Sequence, residues 1–244
     1  MATVDVQGTK FSFSLLPLKA FSSGHYARAR IEIQNEYVQY GYTVEKLLRE
    51  DMEEWIFCMF RLLAGAYGRE YSLNFERTGI RVDLCAYTED GREVSREERR
   101  KQDCFMLIHL VLKSKEGGFL GGAQTFIFHR QDIEKFASAI REEFYQIFEK
   151  YARGKGKYLF AGVSPYEYKG CNYWYYDPSG KVKAGDYVWI RMGRHNREQV
   201  GFVDSVRYFS EDTAPYSPQS MKQVLGLVLD KDWNKDNKDK DNKI

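Results

Sequence analysis

The sequence predicts an α+β fold: an antiparallel sheet or sandwich domain with two helices, followed by a small SH3-like β-barrel. Most of the chain alternates apolar and polar residues, as strands do. Two long stretches instead repeat apolar residues at the spacing of a helix. After residue 156 the residue pattern changes to short β-strand-like runs separated by Gly, Pro and Asp. We therefore expect an α+β domain over residues 1–153 and a barrel over residues 154–229.

The clearest element is a helix predicted from Asp132 to Tyr151. Asp132 suits an N-cap, and the glycines at 154 and 156 end the helix at its other side. Its apolar stripe consists of Ile133, Phe136, Ala137, Ile140, Phe144, Ile147, Phe148 and Tyr151. Such a stripe needs a large apolar surface to cover it, and the preceding strands are the source of that surface.

The elements before this helix follow from the same two periodicities. A second helix is predicted to open at Thr43 and to end at Gly65. Strands are predicted at residues 4–6, 11–15, 26–37, 71–75, 80–84, 105–112 and 123–128. No internal repeat is visible in the sequence.

The C-terminal part reads as a small barrel with a charged tail. Short β runs lie at residues 158–160, 172–176, 187–192 and 200–208, a length and spacing typical of small barrels. Residues 230–244 alternate Lys, Asp and Asn, and they hold too few apolar side chains to fold. We expect a disordered tail there.

Composition places the chain among soluble globular proteins. Of its 244 residues 43% are apolar and 30% charged, which allows a real core. The formal net charge of +2 produces no strong overall field toward nucleic acid or membranes. No secretory signal opens the sequence, and its apolar runs are too short to span a bilayer. A cytoplasmic protein without membrane contact is expected.

The sequence shows no catalytic or metal-binding motif. Its four cysteines form no CxxC pair, and its four histidines lack metal-ligand spacing. His109 in an apolar strand and His129 before a helix are interpreted as structural. The acidic residues Glu50, Asp51, Glu53 and Glu54 read as the solvated face of a helix. We therefore predict no enzyme activity, no catalytic residues, no metal and no cofactor.

Two loops are candidate binding sites. Glycines surround Phe119 and Leu120, and because a strand follows them, the loop is a hairpin tip rather than a phosphate loop. This tip is the candidate protein-binding site. The candidate nucleic-acid site lies in the second domain, where basic residues alternate with aromatic ones. Its residues are Arg191, Arg194, His195 and Arg197. Alternatively, the aromatic residues are barrel core and the arginines a solvated loop.

Residues 11–151 resemble the WapI-like family of bacterial immunity proteins. The resemblance lies in the order of elements, in the strand Leu73-Asn74-Phe75-Glu76 followed by Ile80-Arg81-Val82-Asp83-Leu84, and in the closing helix. It implies a small α+β protein that binds and neutralises a toxin without catalytic residues.

Residues 158–225 resemble the small barrel at the N-terminus of primosomal replication helicases. The matching segments are Tyr175–Pro178, Lys183–Val188, Arg191–Gly193 and Val200–Val203. The resemblance implies a barrel that binds DNA ends, although the helicase motor is absent here. In that family a Pro-Phe pair usually precedes the glycine that corresponds to Gly193, and this chain has Arg191-Met192 there.

These observations favour a non-enzymatic, cytoplasmic binding protein of the immunity or inhibitor type, with a protein as its partner. A nucleic-acid-binding accessory protein acting through the second domain is the alternative.

Overall fold

The computed structural model describes residues 1–16, 26–65, 71–75, 78–86, 96–113, 119–152, 156–165 and 173–229. The chain divides into two compact units, Met1–Tyr151 and Ala152–Ile244. The described strands form three antiparallel sheets, accompanied by two long helices and a short one. The predicted α+β class is therefore confirmed. The tail at 230–244 and Cys171 lie outside the described residues.

The first sheet holds four strands in chain order, followed by a helix. They are β1 (Ala2–Val6), β2 (Thr9–Leu16), β3 (Tyr26–Gln34) and β4 (Gln39–Leu48), and α1 spans Arg49–Leu63. Gln7 and Gly8 both have positive φ, 52° and 75°, which is the backbone of a tight two-residue hairpin turn.

The second sheet repeats this architecture. Its strands are β5 (Tyr71–Phe75), β6 (Ile80–Ala86), β7 (Cys104–Lys113) and β8 (Phe119–His129), and α3 (Arg130–Ala152) follows them. The short helix α2 (Arg96–Lys101) lies between β6 and β7. The first unit thus contains four antiparallel strands and a helix twice over. This repeat is not visible in the sequence, because the two halves have the same order of strands and helix but different amino acids.

The predicted start of the first helix is wrong, because residues 43–48 belong to β4. The strand pairs Val44 with Ala29 and Leu47 with Ala27, and a bulge places Arg28 opposite two residues. Val44 and Leu47 are both buried as a result. The bulge therefore gives a strand the three-residue apolar spacing that is typical of a helix.

One aromatic core joins both sheets and both long helices of the first unit. The Trp55 ring of α1 lies 5.4 Å from Phe13, 5.3 Å from Phe75 and 5.6 Å from Phe136, between ring centroids. Phe11 of β2 contacts Phe126 of β8 at 4.9 Å. The α3 stripe is buried from Ile133 to Phe144, as its periodicity predicts.

The second unit contains one sheet of five strands in the order β10-β9-β12-β11-β13. Its strands are β9 (Tyr158–Pro165), β10 (Tyr173–Asp177), β11 (Tyr187–Met192), β12 (Arg197–Phe209) and β13 (Gly226–Leu227). In the described part of the chain this sheet does not close, so the predicted SH3-like barrel is not confirmed. An isolated parallel bridge joins Tyr176 of β10 to Gln223.

Two close contacts shape the second unit. At Gly156 a side chain would collide with the backbone of Phe209 and Ser210. At Gly162 a Cβ would lie 2.6 Å from an Asp204 carboxylate oxygen. Asp204 is the extra residue of a bulge in β12, and the glycine leaves room for its side chain.

Candidate functional site

The outer face of the second sheet is the surface on which polar and apolar side chains meet. In β6, β7 and β8 every second residue is buried in the core, as Val82, Met106 and Phe128 are. The residues between them therefore point to the outer face. Register places Asp83 opposite Leu107 and Leu107 opposite Ile127. The outer face consists of Ser72, Asn74, Arg81, Asp83, Cys85, Phe105, Leu107, His109, Val111, Ala123, Thr125, Ile127 and His129.

A hydrogen-bond network crosses all four strands of this face. Asp83 Oδ2 lies 2.9 Å from His109 Nε2, and His109 Nδ1 lies 2.9 Å from Thr125 Oγ1. Ser72 Oγ donates to Asp83 Oδ1 at 2.6 Å, and Arg81 Nε donates to the same oxygen at 3.0 Å. We name these five residues the outer-face network.

The electrostatics of the network keep Asp83 ionised. Burial acts to raise the pKa of Asp83, but hydrogen bonds from Ser72 and Arg81, the charge of Arg81 and the hydrogen bond with His109 outweigh it. The pKa of the carboxyl group therefore lies below its ordinary value. An ionised carboxylate only accepts hydrogen bonds, so it requires a proton on Nε2 of His109.

A second His–Asp pair lies at one end of the face. His129 Nδ1 is 3.3 Å from Asp103 Oδ2, and the His129 ring lies edge-on to Phe105 at 4.9 Å. Burial acts to raise the pKa of Asp103, but the hydrogen bonds with His129 and with the backbone of Cys104 and Arg130 lower it overall. His109 and His129 thus lie on either side of the row that holds Leu107 and Ile127.

Most of the corresponding face of the first sheet is polar. Its cross-strand pairs include Ser12 with Glu32 and Ser14 with Arg30. Arg28 and Glu45 form an ion pair of 2.9 Å there. The first sheet carries apolar side chains at one end of this face, where Tyr26 lies opposite Leu48, whereas the second sheet carries an apolar row between its two histidines.

The predicted hairpin tip at Phe119 and Leu120 belongs to a strand, since Phe119 pairs with Lys113. Phe119 and Leu120 begin β8, but their side chains lie outside the part that the structure describes. A different hairpin tip, between β3 and β4, exposes apolar side chains: Tyr37 is 84% exposed and Val38 52%. Asn35 shapes this tip by accepting hydrogen bonds from the backbone of both residues.

The candidate nucleic-acid residues lie on the hairpin between β11 and β12. Gly193 and Asn196 adopt positive φ of 74° and 49°, which turns the chain and exposes Arg194, His195 and Arg197. Arg191 lies within β11 and forms an ion pair of 2.8 Å with Glu198. The structure therefore places three of the four residues at one exposed tip.

The second unit also holds a group of partly exposed aromatic rings. Trp174 and Phe209 are 5.9 Å apart between ring centroids, and Tyr158 and Tyr176 are 6.0 Å apart. Phe209 ends β12, whereas Arg197 begins it. The basic tip and the aromatic group therefore lie at opposite ends of a 13-residue strand, and the structure does not bring them together.

One acidic residue departs from the predicted solvated face of α1. Glu53 is only 2% exposed and pairs with Arg49 at 3.2 Å, one helical turn away. The prediction is wrong for Glu53 because its side lies against the core. Sequence periodicity did not separate it from its neighbours, since a Glu is assigned to the polar face by default.

Among the described residues, no cluster of three or more His, Cys, Asp or Glu side chains has the arrangement of a metal site. No helix in this part of the chain is long and apolar enough to cross a membrane. Comparisons with protein-family models, curated proteins and solved structures found no match to the chain.

The sequence did not single out Asp83, Arg81 or Thr125. The available signal was polar residues at outward positions of strands that are otherwise apolar. Their meeting depends on the registers that pair Arg81 with His109 and His109 with Thr125, which the sequence does not reveal.

Proposed function

We propose that this chain is a non-enzymatic binding protein of the immunity or inhibitor type, which neutralises a protein partner through the outer face of the second sheet. The observation that carries the proposal is the apolar row of Leu107 and Ile127 on that face, with Phe105 in the next row and Val111 beyond the His109–Thr125 pair. Partly exposed apolar side chains that are contiguous and surrounded by polar groups are typical of protein-binding surfaces.

The contrast between the two sheets supports this choice of surface. An antiparallel sheet with one solvated face ordinarily carries polar residues there, as the first sheet does with its Arg28–Glu45 pair. The second sheet departs from that pattern although its architecture is the same. A binding role explains the departure, because water-facing apolar residues contribute nothing to the core.

The order Thr125–His109–Asp83 also invites comparison with a nucleophile relay. Such a relay needs donors that stabilise the developing oxyanion. His109 lies in a central strand, whose backbone N–H groups are engaged in the ladders with β6 and β8. We therefore assign these side chains to recognition rather than to catalysis.

The test uses the product of the adjacent gene as the partner. We expect that product to be toxic when expressed alone and harmless when co-expressed with this chain. Leu107→Lys with Ile127→Lys should weaken the purified complex at least about 30-fold, because interface anchors contribute about 2 kcal/mol or more. Calorimetry of the complex and survival of co-expressing cells are the measurements.

The matched control is Gln34→Lys with Gln39→Lys, a cross-strand pair of exposed residues on the outer face of the first sheet, which adds the same two charges. It should bind as the wild type does. An adjacent product that is neither toxic nor bound would contradict the proposed function. A double variant that binds as tightly as the wild type would show that another surface is used.

A second candidate function is nucleic-acid binding by the second unit as a small SH3-like barrel. Backbone hydrogen bonds join Tyr176 of β10 to Lys222 and Val224, and the same segment continues into β13 beside β11, which supports a barrel. The exposed Arg194–Arg197 tip favours contact with phosphates, and the group of Tyr158, Trp174, Tyr176 and Phe209 favours stacking of bases.

A fluorescent oligonucleotide separates this candidate from the first. If the tip contacts phosphates, Arg194→Ala with Arg197→Ala should weaken binding and lower its salt slope by about one unit for each lost contact. The melting temperature should stay nearly unchanged, since both residues are exposed. We expect no saturable binding by the wild type at physiological salt, because the net charge is only +2. Tight, salt-dependent binding would favour the nucleic-acid function instead.

A further inference from the structure

Thr125 is the outward end of the outer-face network. Its hydroxyl lies 2.9 Å from His109 Nδ1, and its side chain is exposed. His109 is 30% exposed and Asp83 17%, so the network runs from a shielded carboxylate to a hydroxyl that reaches water. The proton positions inside the network therefore determine whether the Thr125 hydroxyl presents lone pairs or a proton to a partner.

Proton positions follow from the ionised Asp83. Because its carboxylate already accepts from Ser72 and Arg81, the contact with His109 requires an Nε2–H donor. A neutral imidazole with its proton on Nε2 has a lone pair on Nδ1. Thr125 Oγ1 must then donate its proton to Nδ1, which leaves only oxygen lone pairs to face outward.

Protonation of His109 reverses this arrangement. Both ring nitrogens of a charged imidazole are donors, so the Thr125 oxygen must accept from Nδ1–H. Its own proton then turns outward. The Thr125 hydroxyl therefore changes from a group that only accepts outward hydrogen bonds to one that also presents a proton beside its remaining lone pair, and no backbone movement is needed.

Resting on the proposed function, we propose that Thr125 is a specificity-determining contact on the outer face, which accepts a hydrogen bond from an N–H or ammonium group of the partner while His109 is neutral. The partner thus carries a donor beside apolar side chains that cover Leu107 and Ile127. Ile127 is two residues from Thr125 on β8, and Leu107 two residues from His109 on β7, so the donor and the apolar contact are immediate neighbours.

Protonation of His109 weakens this contact, because an outward hydroxyl proton and a charged imidazole then face the donor of the partner. Other charged or titratable groups share the outer face and change with pH independently of Thr125. Those among the described residues are Arg81, Asp83 and Cys85 of β6, His129 of β8, and Asp103 beside it. A comparison between the wild type and a variant that differs only at Thr125 removes their common contribution.

The first experiment needs no partner. Nitrogen NMR of the imidazole side chains in the full chain should show the neutral form of His109 with its proton on Nε2. Thr125→Val, which keeps the shape and removes the hydroxyl, should shift the Nδ1 resonance, whereas Thr125→Ser should restore it. A proton on Nδ1, or no response of that nitrogen to Thr125→Val, overturns the inference whether or not the proposed function holds.

The second experiment measures the complex with the product of the adjacent gene. In the neutral form of His109, Thr125→Val should weaken binding about tenfold, and Thr125→Ser should retain most of the affinity. In the form with protons on both ring nitrogens, as the NMR spectrum identifies it, the affinity difference between the wild type and Thr125→Val should narrow. An affinity difference that is the same in both forms, or equal affinities in the neutral form, overturns the inference. Failure of the product to bind any variant refutes the proposed function, and the NMR result still decides the state of Thr125.

Discussion

At the scale of single residues, one carboxylate organises the outer face of the second sheet. Asp83 accepts from Ser72, Arg81 and His109, which lie on three different strands. Each partner on its own would be an ordinary surface side chain. Together they make Asp83 a charged acceptor whose removal leaves several donors without their partner.

Asp83→Asn tests this role through the pH dependence of stability. At pH 7 the variant should unfold more easily by about 1–3 kcal/mol, because donors and the Arg81 charge lose their acceptor. The pKa of Asp83 is lowered in the folded protein, so its contribution is present above the unfolded pKa and is lost as pH falls through the folded value. The difference between the wild type and the variant should therefore narrow as the pH drops below about 4.

Urea unfolding at a series of pH values provides the measurement. Glu36→Gln, at the exposed turn between β3 and β4, is the control, and it should change the free energy of unfolding by less than about 0.5 kcal/mol. A difference for Asp83→Asn that stays constant down to pH 2 would show that charge is not its cause.

At the scale of elements, α3 closes the first unit by covering the core that both sheets share. Phe136 contacts Phe11, Phe13 and Phe128. Phe144, further along the same helix, is fully buried. At its N-terminus, Arg130 donates to the carbonyl oxygens of Leu63 and Gln102. The helix therefore ties the end of α1 to the loop before β7.

Phe144→Ala should lower the free energy of unfolding by about 3–5 kcal/mol, because it removes a buried ring and leaves a cavity. Chemical denaturation of the full chain gives this value. The control is Glu142→Ala on the exposed side of the same helix, which should cost less than about 1 kcal/mol. A similarly small loss for Phe144→Ala would mean that the helix does not cover the core.

Gly156 offers a test in the second unit. Its backbone lies so close to Phe209 that any side chain must displace the chain, so Gly156→Ala should destabilise this unit by about 1–3 kcal/mol. Gly226→Ala is the matched control, because a Cβ there would meet nothing within 4 Å. Thermal unfolding should separate the two variants clearly. Equal melting temperatures would show that the close approach does not form.

At the scale of the whole molecule, the chain divides into two compact units between Tyr151 and Ala152. The first unit encloses its own aromatic core, and the second builds its core from residues such as Leu159, Val163, Val188 and Val206. Each unit therefore has what a chain needs to fold by itself.

Limited proteolysis tests that independence. We expect the charged tail to be cut first, after Leu229, because its composition supports no core. Cleavage between residues 152 and 156 should follow and leave two resistant fragments. Mass spectrometry identifies the cuts. Fragments that lose their resistance as soon as they are separated would contradict independent folding.

The sequence alone determined those features that depend on local periodicity. The α3 stripe and the alternating strands follow from which side of a helix or strand is apolar. Burial of one face leaves a regular trace along the chain, and that trace is readable without knowledge of any neighbour.

Tertiary structure decided everything that depends on which strands are neighbours. The bulge opposite Arg28 converts a helix-like spacing into a strand, and Gly156, which the sequence predicts only as a helix end, packs against the backbone of Phe209. Asp83, His109 and Thr125 meet across residues 83 to 125 only because β6, β7 and β8 pair in one register. A shift of a single residue would have turned these side chains to opposite faces, and no local pattern records that choice.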